Sequence, residues 1–332
     1  MNSISKIFQK FCYKNYLVKS RYLHCTTLSH LDSKCSTVYS SNSDDLNPVY
    51  SYPLYTPDIS GVGKYVPSNI IRPEPVEVIE DNINFAEIEK YLFEKQNGMR
   101  KVCALAKMIL NSCRENIKVG VKTDDIDEVA HCNIIRNGAY PSPLHYKGFP
   151  RSICTSVNNV ACHGIPDDYR LKDGDIINVD VTVFLDGYHG DCSDTFEVGK
   201  VDDNGKKLIS ITRECTYSAI RKCGPGLQLC VIGQTIEQIA KLNGFNVIPV
   251  FCGHGIGKQF HEKPDIYHFD NDEPGIMEPG MTFTIEPILS EGGSDIRILK
   301  DGWTAVTTDN SRTAQFEHTI LILDNGVEIL TT

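Results

Sequence analysis

Nowhere in the 332 residues is there a run approaching the roughly 18 consecutive apolar residues that a membrane-spanning helix needs, which excludes a channel or carrier built from such helices. No Cys-x-x-Cys occurs either, although the chain has 13 cysteines. Zinc knuckles and ribbons need such paired spacing and are excluded. An odd, scattered count in so long a chain argues against a disulfide-stapled mini-domain and fits reduced thiols in an intracellular compartment. Tryptophan occurs once, at Trp303. Acidic residues are missing from positions 1–31, which carry five basic ones: Lys6, Lys10, Lys14, Lys19 and Arg21. Residues 32–332 hold 28 basic and 43 acidic residues, a balance of −15 against −10 for the whole chain. So acidic a body argues against general nucleic-acid binding.

Lys6, Lys10 and Lys14 recur every four residues and share one helical face, with Ile7, Phe8, Phe11 and Leu17 largely elsewhere on the wheel. A basic amphipathic segment without acids reads as a transit peptide over residues 1–31, mitochondrial in type. The alternatives are another organelle such as a plastid, or a solvated tail on a cytoplasmic protein. Residues 32–84 hold six of the 16 prolines, with many Ser and Tyr. Proline fixes φ and removes a donor, so this stretch is neither helix nor central strand. It reads as a free linker or as an extended arm whose second half docks on the following domain.

From residue 85 to 332 the pattern is that of one α+β domain. Helical spacing runs over 86–117, with Leu92, Met99, Val102, Leu105, Ala106 and Leu110 as core contacts. Thr123-Asp124-Asp125 signals a helix start and Asn137-Gly138 its stop. Two more helices are expected over 204–223 and 232–243. Runs rich in Val, Ile, Thr or Phe predict strands near 153–162, 176–185, 188–198, 246–252, 281–289 and 314–323.

Asp186-Gly187 lies between two β-prone runs, a strong hairpin signal. Pairing outward from a two-residue turn sets Leu185 opposite Tyr188, Phe184 opposite His189, Val183 opposite Gly190 and Thr182 opposite Asp191. Side chains alternate along a strand, so Asp180 and Asp191 fall on one face as diagonal neighbours, ~7–8 Å apart at the backbone. Two acids on one face of a valine-rich hairpin are either hydrated on an exposed surface or held by a cation. Other acids appear in apolar strands: Glu286 in Thr284-Ile285-Glu286-Pro287, and Glu317 in Gln315-Phe316-Glu317-His318. His254 sits between glycines in Gly253-His254-Gly255-Ile256-Gly257. Together these are one imidazole and four carboxylates; the four carboxylates balance two divalent cations, and an oxygen-rich set with one His suits Mn, Fe, Co or Zn in a hydrolytic centre.

With these residues assembled, the chain resembles the type I methionine aminopeptidases, in an organellar, mitochondrial-like form. The shared features are Cys162-His163-Gly164-Ile165-Pro166, the Asp180/Asp191 pair, Gly253 to Gly257, Phe260-His261-Glu262, Thr284 to Pro287 and Gln315 to His318. The likeness covers residues 85–332, and Gly63 to Pro75 is similar to the Pro-rich arm of many members. It implies the pita-bread fold, a curved antiparallel sheet with helices on its outer face and a dimetal centre on the inner one. It implies that Asp180, Asp191, His254, Glu286 and Glu317 bind two divalent ions, with Asp191 and Glu317 bridging, and that a water between them is the nucleophile. Glu286 would move the proton to the leaving amine, His261 would polarise the scissile carbonyl, and His163 would contact the peptide nitrogen. Tyr146, Phe149, Cys154, Phe260 and Trp303 would line the methionine pocket, where apolar and aromatic contacts suit a thioether. A monovalent cation held by carbonyls near Asn158, Val160 and Thr313 belongs to the same analogy. The substrates would be N-termini of nascent polypeptides, preferably with a small second residue, with transient ribosome association. An X-Pro dipeptidase of the same fold is the alternative enzyme, but 84 Pro-rich residues are too few for its extra N-terminal domain. A catalytically dead relative serving as a ribosome or nucleic-acid binding module fits neither the intact ligand set nor the −15 body.

Overall fold

A computed structural model of the protein describes residues 64–74 and 85–332, with side chains from Leu92 onward in the first helix. The leader and most of the 32–84 segment lie outside the described residues. The described residues form four α-helices in order: α1 Phe85–Asn116, α2 Thr123–Arg136, α3 Asp203–Ile220 and α4 Val231–Leu242. Each falls where the sequence signals put it. The α2 start uses Asp125, whose side chain accepts from the Lys122 N–H. At α3, Asp202 caps the Gly205 N–H at 2.8 Å.

The large sheet is antiparallel throughout and curled. Its strands are β1 Tyr140–Pro141, β2 Cys154–Val157, β3 Ile176–Leu185, β4 Tyr188–Glu197, β5 Gly253–Gly255, β6 Glu262–Ile266, β7 Thr282–Ile285, β8 Glu317–Leu323 and β9 Gly326–Ile329. The order is β1-β3-β4-β8-β7-β5-β6, with β2 also on β3 and β9 on β8. The β3–β4 hairpin has the register derived from the sequence, from Leu185 opposite Tyr188 to Thr182 opposite Asp191. Its turn places Asp186 and Gly187 at φ 50° and 87°, the left-handed pair that a tight hairpin of this twist needs.

Register fixes which residues share a face. Val179, Val181, Val183 and Cys192 point outward into a core with Met99, Val102, Leu105, Ala106, Ile109 and Leu110 of α1. Leu92 is only half-buried. Farther along the same face, Phe283, Ile285, Ile320 and Ile322 pack against α3 and α4. Each helix pair therefore covers one half of the sheet. Gly190 lets α1 approach: a Cβ there would lie 2.8 Å from the Cys103 backbone nitrogen and the Val102 carbonyl carbon. These are backbone atoms, so the helix would have to shift. Gly190→Ala is expected to destabilise by about 1–3 kcal/mol, measured as a lowered Tm; an unchanged Tm would contradict this packing.

Several expected strands are shorter than the apolar runs suggested. The 153–162 run divides into β2 and a strand Val160–Cys162, and 246–252 gives only Asn246–Val247 before β5. The 281–289 run breaks between β7 and Ile288–Ser290, and 314–323 breaks between Thr313–Gln315 and β8. Beyond these breaks Ile288–Ser290 pairs with Thr313–Gln315 and Asn246–Val247 in a separate three-stranded sheet. Pro287 lacks the N–H to continue the ladder, and the two chains leave the large sheet together. Both breaks adjoin an acid, Glu286 and Glu317.

Candidate active site

The inner face of the curled sheet is where the outward apolar pattern leaves polar residues. Asp180, Ser193 and Glu317 form one row across β3, β4 and β8, since Asp180 opposes Ser193 and Ser193 opposes Glu317. Asp191 lies on the same face, opposite Thr182. Glu286 follows the end of β7, and His254 is the middle residue of β5, which pairs with β7. The structure thus brings all five predicted ligand residues to one region. Donor atoms of Asp191, His254 and Glu317 lie within 4.8 Å of one another. His254 Nε2 is 3.9 Å from Asp191 Oδ2 and 3.7 Å from Glu286 Oε1.

These separations are too long for hydrogen bonds, and the charges explain why. Burial depresses the His254 pKa to about 4, so the ring is neutral at pH 7. Its Nδ1 lies 3.1 Å from the Gly255 carbonyl and must carry the proton to donate there. Nε2 then turns a lone pair toward carboxylate oxygens. Asp191 and Glu317 are buried, and burial followed by the neighbouring carboxylates pushes both well above the ordinary range. Burial likewise raises Asp180 and Glu286. Asp180 Oδ1 is buried with no hydrogen-bond partner among the described residues. Two like charges ~4 Å apart at an effective dielectric near 20 repel by about 4 kcal/mol, whereas whole domains are stable by only ~5–15 kcal/mol. Four ionised carboxylates cannot share this space alone. Acids with an imidazole lone pair turned toward them fit divalent cations, with ligand bonds of about 2 Å.

Further residues that the sequence reading passed over position these groups. The Thr182 hydroxyl donates to Asp191 Oδ1 at 2.7 Å. Thr284 accepts from the His254 N–H at 3.0 Å and donates to Glu286 Oε1 at 2.7 Å, joining two ligand candidates through one hydroxyl. Gln315 Nε2 donates to Glu286 Oε2 at 3.3 Å, and His268 Nε2 accepts from the Glu286 N–H at 3.1 Å. Threonines two residues from an acid on an apolar strand share its face, the one signal that could have found Thr182 and Thr284.

The remaining candidates form two linked groups beside the acids. Tyr146 Oη is 3.1 Å from His261 Nδ1, and its ring lies 5.0 Å from Phe260. His261 itself is exposed, with its ring 4.2 Å from that of His254. In the second group Phe149, Cys154 and Ile165 pack together with Trp303 against them. Phe149 meets Trp303 edge-on at 5.2 Å, and His163 meets Trp303 edge-on at 6.1 Å. His163 has φ 55° and is depressed to about 4 by burial, so its ring is neutral at pH 7. The Thr313 hydroxyl donates to the Val160 carbonyl at 2.9 Å and lies 3.3 Å from that of Asn158, bringing together the three residues of the suggested monovalent site.

A curled antiparallel sheet, helices on its outer face and an inner cluster of buried acids with a neutral His define a metal-dependent hydrolase. Residues 97–324 match metallopeptidase family M24, and the chain belongs to that family. Methionine aminopeptidases are among its relatives. It is 50% identical over 314 residues to the mitochondrial methionine aminopeptidase 1D of Danio rerio, covering 94% of this chain and 92% of that one. It is 50% identical over 268 residues to the chloroplastic methionine aminopeptidase 1B of Arabidopsis thaliana, covering 80% and 72%. Among solved structures, the methionine aminopeptidase of Rickettsia prowazekii superposes with a TM-score of 0.71 at 42% identity, over 73% of this chain and 98% of that one.

Proposed function

We propose that this enzyme removes the N-terminal methionine from newly made proteins, preferring a small second residue, and that it does so in the mitochondrion; the +5 leader and relatives named mitochondrial or chloroplastic support an organelle. The observation that carries the hydrolytic reading is the neutral His254 lone pair turned toward buried acids that cannot all ionise without cations. Asp180, Asp191, His254, Glu286 and Glu317 would hold two divalent ions. Bound there, the ions would acidify a water and polarise the scissile carbonyl.

The chain's own residues supply the rest. Glu286, raised by burial and held by Thr284 and Gln315, suits proton transfer from the attacking water to the leaving amine. Tyr146 Oη is 3.1 Å from His261 Nδ1; with the phenol as donor there, Nε2–H would be free to donate to the developing oxyanion. His163, neutral and edge-on to Trp303, contacts the peptide nitrogen. Phe149, Cys154, Tyr146, Phe260 and Trp303 form the apolar, aromatic lining that a thioether favours. The partners are N-termini of nascent chains, met transiently at the ribosome.

The test is peptide hydrolysis by protein loaded with Mn, Fe, Co or Zn in turn. Met-Ala-Ser should release methionine, bulkier second residues should slow release, and Ala-Pro peptides should stay intact. His261→Ala should lower kcat about 10²- to 10³-fold. Absence of methionine release by protein with confirmed bound metal would overturn the assignment.

A further inference from the structure

Residues 64–71 lie outside the family match at 97–324, yet they are anchored at both a polar and an apolar root. At the polar root, Lys64 Nζ is 2.9 Å from Asp127 Oδ2 and 2.8 Å from Glu128 Oε2. Asp127 is fully buried in α2, and its Oδ1 accepts from the backbone N–H groups of Ser152 and Ile153 at 2.8 and 3.0 Å. A second tie runs through His131: Nε2 lies 2.9 Å from the Tyr65 carbonyl, and Nδ1 lies 2.7 Å from the Ser152 hydroxyl. At the apolar root, Val66 and Ile70 are buried against Tyr140, Leu144 and Phe184.

Both roots end on the methionine pocket described above. Ser152 and Ile153 directly precede Cys154, which opposes Asp180 in the sheet. Leu144 lies two residues before Tyr146. Phe184 meets the ring of His189 at 4.7 Å, and His189 stacks on Phe260 at 5.4 Å and 9°. His189 is itself fixed by Ser142, with Nδ1 2.9 Å from that hydroxyl.

We propose that residues 64–71 are a built-in strap that positions the methionine pocket, with Lys64 as its key positioning residue through Asp127 and the Ser152–Ile153 backbone. The proposal rests on the pocket assignment above. An unpaired charge at Asp127 would be strongly unfavourable, so the segment it holds would relax when Lys64 is lost. A further consequence is that any proteolytic removal of the leader must stop short of Lys64.

The experiment compares methionine release, Tm and Trp303 emission in full-length metal-loaded enzyme and five variants. Lys64→Met and Ile70→Ala should raise KM about tenfold, with a smaller change in kcat, and should shift Trp303 emission. Lys64→Arg should restore KM, because the ion pair survives. Ile236→Val, buried in the α3–α4 core far from the strap, should lower Tm without moving KM. Wild-type KM and emission in Lys64→Met and Ile70→Ala would overturn the strap, as would a KM rise in Ile236→Val of the same size. Phe149→Ala separates the two readings. If it leaves KM unchanged the pocket assignment fails, whereas if it raises KM while the strap variants do not, only the strap fails.

Discussion

Asp191→Asn should abolish methionine release, lowering kcat/KM by about 10³-fold or more, with loss of tightly held metal. The amide keeps the shape and can still accept from the Thr182 hydroxyl, so the expected defect is one of charge rather than folding. Asp191 lies within reach of the His254 and Glu317 donor atoms, which suits it to hold a cation together with them. Metal analysis on the purified variant checks the point; two tightly held ions per chain would contradict the proposed ligand role. The metal-free proteins give a second readout. Asp180, Asp191, Glu286 and Glu317 have folded-state pKa values raised by burial above their unfolded ones. The unfolded state therefore releases protons first as pH rises, and the chelated wild type should lose stability from the ordinary carboxylate range up through neutrality. Asp191→Asn removes one of the competing acids and should flatten that slope.

Arg312→Met should be the most destabilising of the substitutions considered, by about 3–5 kcal/mol, or a Tm drop on the order of 10 °C. The Arg312 side chain is fully buried and makes four charged hydrogen bonds: two to Asp202 at 2.8 and 2.9 Å, and two to Glu291 at 3.0 and 2.8 Å. Asp202 is at the same time the N-cap of α3, so one guanidinium ties a helix start to the strand that leads into Gln315 and Glu317. Removing it leaves Glu291 almost fully buried without its cation. Arg312→Met/Glu291→Gln should recover part of the loss, because no charge is then stranded. The hydrogen bond from Arg312 holds the Asp202 carboxyl well below its usual range. Its stabilisation is present at neutral pH and is lost as pH falls below the ordinary carboxylate range. A thermal melt of Arg312→Met matching wild type would refute this account.

The hairpin was legible because everything that fixes it is local. Asp186-Gly187 supplies two left-handed residues, valines at 179, 181 and 183 supply a period-two apolar face, and the register follows from the turn. That arithmetic alone put Asp180 and Asp191 on one face. Helix ends at Asn137 and Asn243 were equally local. Strand ends were harder to read. Apolar runs at 281–289 and 314–323 look continuous, yet each divides where two chains part from one sheet and join another. Nothing in either run alone reveals that its partner also breaks at the same level. The roles of Gln315 and His268 escaped notice for the same reason, since each reaches Glu286 only across a contact between segments distant in sequence, whereas Thr284 has one local partner in Glu286 and one distant one in His254.

What the sequence determined by itself was the chemistry available: four acids and a histidine in apolar strands, an acidic body and a cationic leader. Recognition of the family also rested on those residues in that order. What only the tertiary structure decided was their use. Sheet register, not sequence spacing, placed Glu317 in a row with Ser193 and Asp180 and turned the lone pair of His254 toward Asp191 and Glu286. Burial then kept that imidazole neutral and raised the acids together, a property of the assembled cluster that no single segment carries. The physical reason is that side-chain periodicity is encoded within a strand, whereas electrostatic environment depends on which strands meet.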